Sequence, residues 1–257
     1  MLAVFKVGGS VLEAGASAWL EEAQAWMASQ GSLVLVHGGG QKISAALKRL
    51  GEPVEFIEGQ RVTTPAALET VVAVLRGVVN AELVAALVAR GWPALGLSGL
   101  DGGLLQGTVA NPRLGRVGAV QSVRPDVLRH VLAGGYLPVV APLAGDGEGG
   151  VLNVNGDLAA AAIAQALKAD LLVFYTDTGG VRWAVDDPES IVEQLTDEEV
   201  RDWIAVGRAQ AGMVPKLEAA LKALAGGVAT VQIGAWRRTP YTRIVQAGVV
   251  AHRGEGR

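Results

Sequence analysis

Twice near its start, the chain runs a short apolar segment directly into glycines: residues 2–10 read LAVFKVGGS and residues 33–40 read LVLVHGGG. Apolar runs of this length, bounded by glycine, predict buried strands of a parallel sheet. Two parallel strands ending this way line one sheet edge with backbone N–H groups, at the edge where open α/β sheets bind ligands. Glycine there leaves no Cβ between the backbone and an anion. Lys6 is the discordant residue, since a lysine within an apolar strand either guards an exposed edge or aims its ammonium at something negative. The second glycine loop favours the anion, and a polyphosphate suits such a rim. Neither loop carries GxxxxGK[ST] or a GxGxxG after a strand, so the common phosphate signatures do not apply.

The rest of the chain alternates apolar runs with helical patterns, the βαβ signature of a mainly parallel sheet. Helices are predicted over residues 16–29, 41–50, 126–132 and 158–168. The longest spans 66–90, with Leu68, Val71, Val72, Leu75, Val78, Val79, Leu83 and Leu87 at three- and four-residue spacing. Its wide apolar stripe fits core packing or a dimer seam. Strands are predicted at 93–97, 137–141, 170–175 and 230–234, the first feeding a third glycine turn at 98–103. Residues 104–123 read as a small hairpin lid and 145–150 as a flexible loop joining two lobes, 1–150 and 151–257.

Three polar side chains, Asn153, Asn155 and Asp157, alternate at strand spacing just before a helix. A helix cap needs one such residue, and a carboxylate placed here suits holding ammonium groups. A fourth polar glycine turn, Thr176-Asp177-Thr178-Gly179-Gly180, follows the 170–175 strand. Residues 196–199 form a capping box. Lys216 falls in the first turn of the helix opened by Gly212-Met213-Val214-Pro215, where a cation opposes the helix dipole and points to a bound anion.

Composition narrows the function. Half of the 257 residues are hydrophobic and 18% charged, which predicts a large dry core. A formal charge of −3 provides no electrostatic footprint for nucleic acid. Without cysteine there are no disulfides or thiol catalysis, and His37, His130 and His252 are too scattered for a histidine metal cluster. No leader segment is visible, and uncharged stretches such as 131–145 are too short and too rich in proline and glycine to span a bilayer. A cytoplasmic location is expected.

Seven motifs in order, KVGGS, VHGGG, GQRVT, GLSGLDG, NVNGD, TDTGGV and GMVPKL, cover nearly the whole chain and resemble the amino-acid kinase family. The likeness is greatest to its acetylglutamate-phosphorylating branch. The resemblance implies a three-layer αβα sandwich of the carbamate kinase type, with an N-terminal lobe for the acylated amino acid and a C-terminal lobe for ATP and Mg²⁺. It also implies ATP-dependent phosphorylation of the γ-carboxylate of N-acetyl-L-glutamate, in arginine biosynthesis. Position by position, Lys6 and Lys216 would stabilise the transferring phosphoryl, with Asp157 between them orienting both. Gly8, Gly9 and Ser10 would face the nucleotide phosphates, and Gly39 and Gly40 the reacting carboxylate. Arg61 would clamp the α-carboxylate, and Asn155 would hold the N-acetyl or carboxylate end. Thr176, Asp177 and Met213 match the nucleotide side, and no residue matches a metal ligand, Mg²⁺ arriving on the phosphates.

The chemistry agrees. A γ-carboxylate with a pKa of about 4.3 is already ionised at neutral pH and needs no general base, as suits a chain poor in histidine. Gln41, Thr64 and Gly156 depart from the family pattern, where proline, aspartate and alanine are usual. That leaves as alternatives a kinase for aminoadipate or glutamate attached to an acidic carrier protein, and a non-catalytic sensor on the same fold. Loss of Lys6, Asp157 or Lys216 would mark the sensor, and all three are present. Arginine-inhibited relatives carry a helix before the first strand. This chain begins at the strand, so an arginine-insensitive homodimer joined through 66–90 is expected.

Overall fold

The computed structural model of the chain describes residues 1–13, 18–184, 186–187, 189–209, 212–235 and 240–248. The start of the predicted 16–29 helix and the tail beyond 248 lie outside them. Eight strands form one sheet in the order Gln194–Thr196, Thr242–Val245, Thr230–Gly234, Leu171–Tyr175, Leu2–Val7, Ser32–His37, Leu137–Ala141, Ala94–Ser98. All neighbours pair in parallel except Thr230–Gly234 with Thr242–Val245. The βαβ alternation expected from the sequence is therefore observed, and it places Leu2–Val7 inside the sheet. Lys6 lies in register with Val36 on one side and Phe174 on the other. An edge-guarding role for it is excluded by that position.

Alternation along the strands creates two apolar faces. Ala3, Phe5 and Val7 pack with Trp19, Ala23, Trp26, Leu83 and Leu87 of the helices Ala18–Ala28 and Asn80–Val88. Val4, Val34, Val36 and Phe174 pack on the opposite face, against Ala160 and Ile163 of Gly156–Leu167, Leu217 and Ala220 of Val214–Ala225, and Leu128 of Pro125–Ala133. The result is three layers. The small residues Ala159, Ala160, Ala161 and Ala164 let the Gly156–Leu167 helix lie close to the sheet, which draws its N-terminus up to the end of the first strand.

The predicted 66–90 helix forms as one run with a change of winding: α-helix Pro65–Val72, π-helix Ala73–Val79, α-helix Asn80–Val88. By length and composition Pro65–Val88 could cross a bilayer. Glu69, Arg76 and Glu82 interrupt it, so it is not an uncharged stretch. Its buried side, Ala67, Val71, Val74, Leu75, Val79, Leu83 and Leu87, packs in the core, leaving Val78 and Val88 among the exposed large hydrophobics. Thr64, at a departure from the family pattern, caps this helix by accepting from Ala67 N at 3.1 Å, the work an aspartate would do there.

The 104–123 hairpin is present as Leu105–Val109 paired with Val117–Val123, but it closes into a four-stranded ring with Leu143–Gly145 and Val151–Val154. Residues 145–150, expected as a flexible joining loop, are instead the turn between two antiparallel strands. The Asp146 carboxylate accepts from Glu148 N and Gly150 N and pairs with Arg116. Local glycine content could not reveal that ordering.

Candidate active site

The carboxyl ends of the parallel strands gather the polar residues singled out above. Lys6, Asp157 and Lys216 meet there, each less than a tenth exposed. Lys6 Nζ lies 2.9 Å from Asp157 Oδ1, and Lys216 Nζ lies 3.1 and 3.0 Å from Oδ1 and Oδ2. They come from a central strand and from the first turns of two helices, so chain segments remote in sequence fix the geometry. Burial by itself would raise the Asp157 pKa, but the two ammonium charges outweigh it and hold the carboxyl far below the usual range. Burial also lowers the Lys216 pKa, against the pull of Asp157. Two cations against one anion leave a buried site with one net positive charge, which calls for an anionic ligand.

The two glycine loops stack beside this cluster. A Cβ on Gly9 would stand 3.2 Å from Gly40 N, and one on Gly38 3.2 Å from Gly9 N. Neither Gly8, Gly9, Gly39 nor Gly40 has positive φ, so glycine is needed here for closeness, not for a left-handed backbone. Each loop starts a helix, Gly9–Glu13 and Gly40–Arg49, directing backbone N–H groups to one place. The five-residue helix at Gly9 was not foreseen from sequence.

A cavity of about 160 Å³ adjoins the cluster, lined by Lys6, Gly38, Gly39, Gly40, Phe56, Arg61, Leu75, Asn153, Asn155 and Gly156 among others. Arg61 reaches it from the tight hairpin of Phe56–Ile57 and Gln60–Arg61, whose turn residues Glu58 and Gly59 both have positive φ. Its Nη2 donates to Gly40 O at 2.8 Å and to Ser44 Oγ at 2.7 Å, and its guanidinium lies 4.7 Å above the Phe56 ring. Its Nη1 is buried with no hydrogen-bond partner among the described residues. A buried, unsatisfied guanidinium nitrogen beside a cavity suits a carboxylate ligand.

Asn155 differs from expectation. Its Oδ1 accepts from Asp157 N at 2.8 Å and Leu158 N at 3.2 Å, making it the cap of the Gly156–Leu167 helix, although it also borders the cavity. The strand ends at Val154, so Asn153, Asn155 and Asp157 do not share one strand face. Asn153 lines the cavity with its Nδ2 donating to the buried Thr63 hydroxyl at 3.0 Å, and sequence reasoning gave it no role.

Ser10 borders a second, open cavity with Gly9, Gly40 and Lys48. On the other side, Met213 and Thr178 line a small cavity with Trp203 and Arg208. Arg208 lies there against a tryptophan pair, 4.2 Å from the Trp183 ring centroid and 5.2 Å from that of Trp203, the two rings meeting edge-on. Thr176 and Asp177 do not line that cavity. Thr176 Oγ1 bonds to Asp177 and Thr178, and exposed Asp177 adds a favourable field at Lys216.

The sequence profile of the amino acid kinase family matches residues 1–235. The acetylglutamate kinase of Symbiobacterium thermophilum is 45% identical over 210 residues, covering 78% of this chain and 71% of the relative. That of Methanopyrus kandleri is 44% identical over 234 residues, covering 87% and 91%. Among solved structures, smu.665 from Streptococcus mutans superposes with a TM-score of 0.86 at 30% identity, covering 95% of this chain and 98% of the other.

Proposed function

This chain belongs to the amino acid kinase family, and we infer that it transfers the γ-phosphoryl group of ATP to the γ-carboxylate of N-acetyl-L-glutamate, a step of arginine biosynthesis. The observation that carries this reading is the buried Lys6–Asp157–Lys216 cluster, positively charged overall, beside a cavity lined by Arg61, whose buried Nη1 has no hydrogen-bond partner among the described residues. Lys6 and Lys216 offset the charge on the transferring phosphoryl and the leaving oxygen. Asp157 keeps both ammonium groups in place. The nucleophilic carboxylate needs no base, so positioning and electrostatics supply the rate.

Residues 1–150 take the acylated amino acid, with Arg61 on its α-carboxylate, the 39–40 amides on the reacting carboxylate and Asn155 with Asn153 towards the acyl end. Residues 151–257 take ATP, with Thr176, Asp177 and Met213 on the nucleotide side and Gly8, Gly9 and Ser10 at its phosphates. Mg²⁺ fits this site as a passenger on those phosphates, because both Asp157 oxygens are already engaged by ammonium groups. It would add positive charge to the transferring group. The carrier-linked and sensor alternatives are not favoured, given relatives that are acetylglutamate kinases and an intact cluster. A cytoplasmic enzyme without membrane or nucleic-acid partners completes the reading.

Turnover of MgATP with N-acetyl-L-glutamate, against free L-glutamate and N-acetyl-aminoadipate, tests it. Activity with the first alone is expected, and silence with all three while ATP binds would overturn it. Arg61→Ala should raise KM for N-acetyl-L-glutamate by about 10- to 100-fold, the worth of hydrogen bonds to a charged group, with KM for ATP little changed. Arg61→Lys should recover only part of the loss, lacking the two-pronged geometry. The exposed Val78 and Val88 of the long helix support a homodimer through that element. Sedimentation should give twice the chain mass, and Val78→Asp should shift it towards monomer.

A further inference from the structure

The turn 38–40 has no side chains of its own to hold it, yet every one of its carbonyls is tied. Gly39 O accepts from Ile43 N at 2.9 Å, and Gly40 O from Arg61 Nη2 and Ser44 Oγ. Gly38 O lies 3.1 Å from His37 Nδ1. The N–H groups of Gly39 and Gly40 bond to no other described group. In a trans peptide the C=O and the following N–H point in opposite directions, so anchoring Gly38 O sets the direction of the Gly39 N–H.

His37 can serve as that anchor only with a hydrogen on Nδ1, because a carbonyl accepts and never donates. The other ring nitrogen, Nε2, lies 3.0 Å from Asn80 Nδ2. The Asn80 amide cannot be turned over, since the same nitrogen faces two carbonyls, Val139 O at 2.9 Å and Leu97 O at 3.3 Å. Asn80 Nδ2 has two hydrogens to share among these three acceptors and can itself accept none, so Nε2 faces a donor and carries no hydrogen, and the neutral ring holds its proton on Nδ1. Both residues are buried, His37 completely. Asn80 follows the π-helical segment, whose Leu75 and Val79 press on Gly39: a Cβ there would stand 2.9 Å from Leu75 Cδ2. Gly96 is required on the far side, where a Cβ would collide with Asn80 Oδ1.

We propose that Asn80 and His37 are positioning residues for phosphoryl transfer: Asn80 selects the His37 tautomer, His37 holds the Gly38 carbonyl, and the Gly39 N–H is thereby aimed. This rests on the reading of the 38–40 turn as a donor to reacting oxygens. Catalytic hydrogen bonds tolerate little misplacement, so freeing the turn should lower kcat by about 10- to 100-fold with KM for ATP near its original value.

The tests use the full chain. Nitrogen-15 spectra of the histidine rings should show His37 protonated on Nδ1 and bare on Nε2 at neutral pH; a ring protonated on Nε2 overturns the proposal whatever the enzyme phosphorylates. His37→Asn keeps an amide near the Nδ1 position and should retain most of kcat, whereas His37→Gln and His37→Leu should lose it. Asn80→Leu should match His37→Leu, and the double variant should fall no further. Equal kcat in the Asn and Gln variants, with Nδ1 protonated in the wild type, would leave His37 a packing residue and sink the positioning role. Where a leucine variant fails to fold, the Asn and Gln pair decides.

Discussion

Lys216→Ala is expected to lower kcat by about 100- to 1000-fold, the usual cost of removing one transition-state donor from a closed site. KM for N-acetyl-L-glutamate should change little, because Arg61 and the 38–40 turn line the cavity assigned to it and Lys216 does not. Lys6→Ala should behave alike, and the pair should be far from additive, since one carboxylate organises both. Arginine is not expected to rescue position 216. Its planar fork is larger than the ammonium now 3.0 Å from Asp157 and 5.6 Å from the Phe174 ring centroid. Burial lowers the Lys216 pKa from its ordinary 10.5, and activity needs the charged form. The alkaline fall in kcat should therefore begin below that ordinary value. A Lys216→Ala enzyme within three-fold of wild type, about 0.6 kcal/mol in barrier, would remove this lysine from the mechanism.

The second large effect is on folding. Asp157→Ala strands two buried ammonium groups without a counter-charge, a change that costs about 3–5 kcal/mol. At about 2–4 °C per kcal/mol for a chain of this size, Tm should drop by about 10 °C. The pH dependence has a definite sign. The folded pKa of Asp157 is depressed, so its contribution is complete above the unfolded value near 3.8 and is lost as pH falls below it towards the folded pKa. Wild type and Asp157→Asn should therefore differ most near neutrality and converge in acid. Calorimetric scans from about pH 2 to pH 8 would read this, the difference staying flat above about pH 4 and shrinking below it, and a difference that stays constant down to about pH 2 would count against the assigned pairing.

Much of the fold was legible because its signals are local. Apolar runs ending at Gly8-Gly9 and at residues 38–40 mark parallel strands and their ligand-binding edge, and helical spacing in 41–50 and 126–132 matches Gly40–Arg49 and Pro125–Ala133 closely. The misplaced charge of Lys6 was legible as well, for a lysine amid Val4, Phe5 and Val7 needs a reason. Less was legible where one residue type serves two purposes. Asn153 and Asn155 look equivalent in the motif NVNGD and both border the cavity, yet the strand stops between them, so Asn153 bonds to Thr63 while Asn155 caps a helix. The 145–150 turn looked loose for its glycines and is ordered by Asp146 and Arg116. Asn80 offered a signal that was passed over, a lone amide between Val79 and Leu83 on the buried side of an apolar helix.

The sequence by itself determined most of the segments that become strands and helices, where glycine admits a close backbone, and which charged groups are available, since these follow from neighbours within a few residues. Only the tertiary structure decided the central place of Leu2–Val7, the π-helical turn, the unsatisfied Arg61 Nη1 and the His37–Asn80 contact. Those depend on partners far apart in the chain, 43 positions in the last case. A buried polar group takes its role from whatever folds against it, and no local pattern records that choice.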